Sequence, residues 1–313
     1  MQTRNVTLGV ALSALALLAG CAASGRHDAA QTLATPACSG PPPQLLSQAG
    51  LYRDTVKKVF ASDAVAYETR YPEWSNGATK RRFVQLPAQT KIDTSDMDHW
   101  SFSVGSRFWT EFTVAGKRVE TRMIERTGPD ARDFRFASYA WNEDETDAEL
   151  TVLGAKNVRG TEYDIPSVGA CWGCHAKEKE RVLGFSAIQL SHDGAGPTVR
   201  SLSASGTLTT PVPETLEMPA KDVAGDALGY LHGNCGHCHG DQGPKGVRLR
   251  IRVGSREVDE DDRYQSVAGA RALRSHMTGE RRCSATAALD LQKPDSYGIR
   301  AVDAWIDLLG RDR

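Results

Sequence analysis

The sequence predicts an α+β fold, in which a β-rich, largely antiparallel N-terminal domain precedes a mainly α-helical region. Between residues 51 and 164, β-branched and aromatic residues recur in short runs that are typical of strands. After residue 164, apolar residues recur at helical spacing instead. The composition, 40% hydrophobic and 25% charged over 313 residues, is that of a globular protein for which roughly two domains are expected.

The N-terminal domain has five predicted strands, at residues 82–86, 109–114, 118–126, 134–141 and 149–153. The tripeptide Ala115-Gly116-Lys117 lies between two of them, where a hairpin turn belongs. Around this turn, apolar side chains alternate with polar ones, which predicts one face of a half-buried sheet. That face comprises Phe112, Val114, Val119, Thr121 and Met123.

Three segments of the C-terminal region are predicted to be helical, at residues 176–182, 221–232 and 297–309. In the last segment Asp295 is placed to cap the start of a helix whose apolar stripe lies beside Trp305. The stripe consists of Ile299, Val302, Ile306 and Leu309. Residues 247–253 alternate apolar residues with arginines, which predicts a short strand with one basic face.

The first 20 residues have the layout of a signal peptide, with one positive charge and an apolar run too short to span a membrane comfortably. Its end, Leu18-Ala19-Gly20-Cys21, resembles the bacterial lipobox, which predicts a lipid on Cys21. A plain secretory signal is the alternative. Residues 21–45 then form a flexible tether, residues 46–165 the β-rich domain and residues 166–313 the helical domain.

The formal net charge of −1 and the absence of a long basic run argue against a nucleic-acid partner. The sequence also lacks the Gly-x-Ser-x-Gly, His-Glu-x-x-His and phosphate-loop patterns of common enzymes.

Cys38 and Cys283 are single cysteines, and in an oxidising compartment they are a candidate disulfide.

The other four cysteines form two Cys-x-x-Cys pairs, and a histidine follows each pair directly. The motifs are Cys171-Trp172-Gly173-Cys174-His175 and Cys235-Gly236-His237-Cys238-His239. This pattern is the attachment site of c-type haem, in which two thiols bond the porphyrin and the histidine becomes the proximal iron ligand. Two motifs in a chain with an export signal predict two covalently bound haem c groups, held by His175 and His239 at iron.

Other uses of paired cysteines fit less well. A structural zinc site favours pairs about 15 to 20 residues apart, whereas 60 residues separate Cys174 from Cys235. A thioredoxin-like redox pair needs a βαβ context, which neither motif has. Two structural disulfides between the pairs would leave the shared histidine without a purpose.

Several longer blocks of sequence resemble a bacterial exported family in which a β-rich domain precedes a two-motif c-type haem region. The blocks are YPEWSNGATKRRFVQL, DHWSFSVGSRFWTEF, VETRMIERT, YAWNEDETDAEL, IPSVGACWGCH, VLGFSAIQL and YLHGNCGHCHG. The resemblance covers most of residues 67–310 and implies cofactor and architecture more than a reaction. The stretches AGDALGYLHGNCGHCHG and DSYGIRAVDAWIDLLG also resemble the first and last helices of a small cytochrome c domain.

The resemblance implies a Met-Pro-Pro-Leu loop that supplies a methionine to the open side of the second haem, but this chain has SATAALDLQK there. Met277 is the favoured replacement, with His276 and Cys283 as alternatives, and an open iron is a further possibility. For the first haem the candidate distal ligands are Met97, His99, His192, Met218 and Met123, the last of which is expected in the core.

Three polar residues in or just before the second motif have simpler expected roles. His237 is expected to face solvent, His232 to satisfy a carbonyl at a helix end, and Asn234 to fix the turn. The alternative is that His232 lies beside a haem propionate.

The predicted function is electron transfer between redox partner proteins in the bacterial periplasm, with a lipid anchor in the inner or outer membrane. The alternatives are a di-haem peroxidase-type enzyme with one open iron, or a haem subunit of a larger dehydrogenase complex.

Overall fold

A computed structural model describes residues 40–212, 216, 222–240, 248–253, 267–278 and 294–311. The signal peptide, Cys21, Cys38, Met218, Cys283 and most of the tether lie outside these residues. Strands dominate the N-terminal half and helices the C-terminal half, so the predicted α+β class is confirmed. In the described part of the chain, no helix is both long and apolar enough to cross a membrane.

The strands form two antiparallel sheets. A small sheet pairs β1 with β2, and a six-stranded meander contains β3 to β8 in sequence order. All five predicted strands are confirmed as β4 to β8, whereas β1 to β3, of two or three residues each, are too short to show a periodic pattern. The strands are β1 Tyr52–Asp54, β2 Val59–Phe60, β3 Val65–Tyr67, β4 Thr79–Gln85, β5 Arg107–Val114, β6 Lys117–Arg126, β7 Phe134–Trp141 and β8 Ala148–Leu150.

The turn between β5 and β6 is the predicted hairpin. Ala115 and Gly116 have φ of 48° and 79°, the left-handed backbone that a two-residue turn between twisted strands requires. Just before the turn, between Phe112 and Thr113, the pairing of β5 with β6 is irregular. This irregularity shifts the register, so that Phe112 lies opposite Glu120.

The predicted single apolar face around this turn is therefore wrong. Phe112, Val114 and Val119 belong to one hydrophobic cluster with Tyr163, whereas Met123 belongs to a different cluster on the other side of the sheet. The expectation of a half-buried sheet is wrong as well, since hydrophobic clusters cover both faces.

Five helices are described: α1 Val168–His175, α2 Val199–Ala204, α3 Asp222–Asn234, α4 Val267–Met277 and α5 Ser296–Arg311. Short 3-10 turns occur at Leu46–Gln48 and Val158–Gly160. The prediction of α3 and α5 is confirmed. The prediction of a helix over residues 176–182 is wrong, because α1 ends before it and Arg181, at φ 58°, has a left-handed backbone.

The strand predicted over residues 247–253 is also wrong for the described residues 248–253, which form no strand. Leu249 and Ile251 are buried in the main hydrophobic cluster, while the arginine between them, Arg250, pairs with Glu178. The alternation of apolar residues with arginines thus reflects alternating burial of a segment that does not pair within a sheet.

Helix α5 packs against both α3 and α4. Asp295 caps it as predicted, since its Oδ1 accepts a hydrogen bond of 2.9 Å from the backbone of Tyr297. Val302, Trp305 and Ile306 are buried on the predicted stripe.

The main hydrophobic cluster joins the two halves of the chain. It contains Phe108 from the sheet together with Leu190, Leu231 of α3 and Trp305 of α5. The division into domains at residue 165 stays a prediction from sequence texture.

Close packing of α3 on α5 requires a glycine at position 298. A Cβ atom there would lie 2.0 Å from the ring of Tyr230. We expect Gly298→Ala to lower the free energy of unfolding by about 1–3 kcal/mol, the usual cost of overpacking, as measured by urea denaturation.

Gly310→Ala, in the same helix, is the matched control, because no atom lies within 4 Å of a Cβ at that position. The free energy of unfolding should stay level or rise by up to about 1 kcal/mol through better helix propensity. Equal effects of the two substitutions would show that the contact with Tyr230 does not limit the packing.

Candidate functional site

The first Cys-x-x-Cys-His motif lies entirely on α1. Ser167 caps this helix, its hydroxyl accepting a hydrogen bond of 3.2 Å from the backbone of Ala170. Cys171 and Cys174, three residues apart on a helix, therefore share one face, and His175 is the last helical residue.

The second motif continues the last turn of α3. The backbone N–H groups of Cys238 and His239 both donate to the carbonyl of Cys235, at 3.1 and 2.8 Å. Gly236 is confined here, because a Cβ would lie 2.6 Å from the carbonyl oxygen of His232. Both motifs thus place their thiols on a helical turn that leads directly into the histidine.

The fold brings the two motifs into contact. One ligand atom from each of Cys174, His237 and Cys238 lies within 4.8 Å of the other two, so the two thiols are neighbours. All three side chains are half-buried, and the thiols of Cys171, Cys174 and Cys238 are outside any disulfide. His237 therefore faces this cluster, and the expectation that it faces only solvent is wrong.

The pKa values of the Cys174 and Cys238 thiols shift in opposite directions. The hydrogen bond from Cys174 lowers the pKa of Cys238, and the nearby His237 lowers it further. The same hydrogen bond raises the pKa of Cys174, and burial adds to this shift. Cys238 is thus the sulfur that more readily becomes a thiolate.

His175 is oriented by the backbone that follows α1. Its Nδ1 lies 2.6 Å from the carbonyl oxygen of Arg181, so Nδ1 carries the proton and Nε2 keeps its lone pair. Burial lowers the pKa of His175 to about 4, which keeps the ring neutral. The ring of Phe136 in β7 lies 5.0 Å from the His175 ring and 4.8 Å from that of Trp172.

Around the second motif, polar side chains fix the backbone. Nδ1 of His232 accepts a hydrogen bond of 3.0 Å from the backbone of Ile251, and so does not serve the helix-end carbonyl expected for it. Asn234 fixes the turn as predicted, since it donates to the carbonyl of Tyr230 at 3.0 Å. It also accepts from the backbone of Trp74 at 2.6 Å, which ties the motif to the segment before β4.

A cavity of about 220 Å³ opens beside the contact between the motifs. It is lined by Asp96, His99, Lys177, Lys179, His237, Gly240 and Arg250. Two of its three cations are already in ion pairs, since Lys179 pairs with Asp96 at 3.2 Å and Arg250 with Glu178 at 2.7 Å.

Comparisons of the chain with protein-family models, with curated proteins and with solved structures find no match. The resemblance to an exported di-haem family therefore stays a prediction from the sequence blocks.

The candidate distal ligands are spread over the fold. Met277 ends α4 and packs against the main hydrophobic cluster, as do Met97 and Cys235. Met123 is buried in the cluster behind the sheet, as expected of a core residue. His192 uses both ring nitrogens, one at 3.0 Å from the carbonyl of Glu68 and one accepting from the backbone of Gly194, so it is a poor iron ligand.

The buried ring of His232 predicts a pH-dependent stability. Burial lowers its pKa to about 3 in the folded chain, against 6.5 ordinarily, so between these values the unfolded chain binds a proton that the folded chain does not. Stability is then complete above pH 6.5 and falls as the pH falls. From pH 7 to pH 5 the loss attributable to His232 should be about 2 kcal/mol.

Urea denaturation at pH 7 and pH 5 measures this loss. His232→Gln should remove about 2 kcal/mol of the difference between the two pH values. An unchanged difference in the His232 variant would contradict the assignment.

Proposed function

We propose that the protein is a di-haem c-type cytochrome that acts as an electron-transfer protein in the bacterial cell envelope. The observation that carries the proposal is the shared arrangement of the two motifs, each of which places paired cysteines on a helical turn directly before a histidine. Covalent haem attachment needs this set of groups in this order.

The donor set at the first motif fits a haem. The pairing of Nδ1 of His175 with the carbonyl of Arg181 is the support that metal-bound histidines usually have, and it directs Nε2 to the metal. The low pKa of His175 keeps this nitrogen deprotonated. Phe136 and Trp172 provide apolar surface beside the ring, as a porphyrin requires.

The second motif offers the same order of groups, with Cys235, Cys238 and His239 on one turn. The cavity beside it is smaller than the roughly 300–1,000 Å³ of typical ligand pockets, so it suits an edge of a large cofactor and not the whole. Lys177 there would pair with a carboxylate such as a haem propionate, whereas Lys179 and Arg250 already pair with Asp96 and Glu178.

When bound, haem supplies an iron that takes up and releases one electron reversibly. The chain supplies the thiols that add across the vinyl groups, the two proximal imidazoles, and the apolar wall that limits access of water. Because the ligand atoms of Cys174 and Cys238 lie within 4.8 Å of each other, the attachment points of the two groups would be adjacent. This proximity supports electron transfer within the protein as its role.

The cellular setting belongs to the same proposal. A lipid on Cys21 would anchor the protein to the inner or outer membrane on its periplasmic side, with the tether over residues 21–45 leaving the folded part accessible to redox partner proteins. A disulfide between Cys38 and Cys283 would fit the oxidising compartment.

The cofactor content provides the first test. Protein matured in cells competent for haem attachment should contain two c-type haems per chain by the alkaline pyridine spectrum and by intact mass. Cys235→Ala with Cys238→Ala should leave one, because only the first motif remains.

His237→Gln is the matched control within the second motif, since the residue between the cysteines plays no part in attachment, and it should keep two haems. Wild-type chain that carries no haem under these conditions would overturn the proposal.

Ligation on the open side of the second haem provides the next test. If Met277 binds the iron, Met277→Ala should abolish the methionine-to-iron band in near-infrared magnetic circular dichroism and lower the reduction potential of that haem. His276→Ala, at the neighbouring position, is the control and should change neither.

Wild-type protein should then bind no carbon monoxide at the reduced second haem. Stoichiometric uptake at that haem would instead favour the peroxidase-type enzyme with an open iron.

A further inference from the structure

The contact between the two motifs combines two thiols and an imidazole from segments far apart in the sequence. Cys174 belongs to α1, whereas His237 and Cys238 follow α3. We propose that the haem-free chain binds one thiophilic divalent cation of the zinc class through Cys174, His237 and Cys238.

The geometry suits a single ion. The three ligand atoms lie within 4.8 Å of one another. Tetrahedral zinc, with bonds of about 2.3 Å to sulfur and about 2.0–2.1 Å to nitrogen, holds two of its ligands about 3.5–3.8 Å apart, within about 1 Å of the separation found here. Small side-chain rotations therefore bring all three atoms into the bonding range of one ion.

The chemistry of the donors selects the class of metal. Two thiolates with one imidazole favour zinc and similar soft or borderline cations over calcium or magnesium, which prefer oxygen. Three protein ligands leave a fourth position for water, as in zinc sites that are not purely structural. Of the three ligands, His237 also lines the cavity beside the motifs.

Charge balance suits a divalent ion. Two thiolates and a neutral imidazole offset the charge of the ion, so the loaded site as a whole carries no net charge.

The site shares Cys174 and Cys238 with the proposed haem attachment and differs from it in its third residue, His237. Metal binding needs Cys174, His237 and Cys238, and it does not use Cys171 or Cys235. Haem attachment uses all four cysteines and does not use His237. Because Cys174 and Cys238 serve both, a bound metal and attached haem exclude one another.

The experiment uses the full chain produced without the haem-attachment machinery and reduced with a phosphine. After incubation with Zn²⁺ and desalting, metal analysis should give one zinc per chain. Co²⁺ in place of Zn²⁺ should give sulfur-to-cobalt charge-transfer absorption. Peptide mapping after alkylation should show Cys174 and Cys238 protected by Zn²⁺, and Cys171 and Cys235 alkylated at the rate of the metal-free chain.

Variants separate this site from an ordinary Cys-x-x-Cys site. Cys174→Ser and Cys238→Ser should each abolish stoichiometric zinc binding, and His237→Gln should weaken it by more than the roughly 10- to 100-fold that loss of a supporting group costs. Cys171→Ser and Cys235→Ser are the matched controls and should bind zinc as wild type does.

Absence of stoichiometric zinc in the reduced chain, or equal loss in all four serine variants, would overturn the proposal. Neither result bears on haem content, which is measured on protein matured with the attachment machinery. Loss of haem with intact zinc binding would in turn overturn only the proposed function.

Discussion

The ion pair between Glu178 and Arg250 holds the two motifs together. One guanidinium nitrogen of Arg250 donates to both carboxylate oxygens of Glu178, at 2.8 and 2.7 Å, and a second donates to the carbonyl of Asp98 at 2.7 Å. Glu178 follows α1 directly and Arg250 follows the second motif, so the pair joins the segments that leave the two sites. A nearly buried pair contributes little net stability, but loss of one partner costs about 3–5 kcal/mol. Its main effect is therefore to fix the position of one motif relative to the other.

The six-stranded sheet provides the support for this arrangement. Phe136 on β7 contacts both Trp172 and His175, and Arg126 on β6 pairs with the buried Glu180 just beyond α1. Asn234 links the end of α3 to the backbone at Trp74. The β-rich half of the chain thus positions both motifs. Since clusters cover both faces of the sheet, it acts as an interior wall of the site and is not a separate module beside it.

The sequence predicts those parts of the fold whose residue pattern lies within a single strand or helix. The alternation in β4 to β8 and the stripe of α5 arise within single elements, and both predictions are confirmed. The helix predicted over residues 176–182 fails because Arg181 has a left-handed backbone and its side chain donates to the carbonyls of Ala176 and Glu178, which ends the helical path. The face predicted around Ala115 fails because one irregular pairing at Phe112 changes the parity of every residue beyond it.

The same distinction applies to the site. The members of each motif, their helical setting and the role of Asn234 follow from neighbouring residues, so sequence reasoning reaches them. The contact of Cys174 with Cys238 is a long-range consequence of how α1, α3 and the sheet pack, and no spacing rule contains it. The spacing criterion, which the 60 residues between the pairs do not meet, concerns one compact finger-like zinc site. It does not apply to ligands that the fold brings together from two motifs. His237, which no haem motif requires, lies beside Cys174 and Cys238 only through that packing. The proposed zinc site therefore depends on how the two motifs meet and not on the spacing within either one.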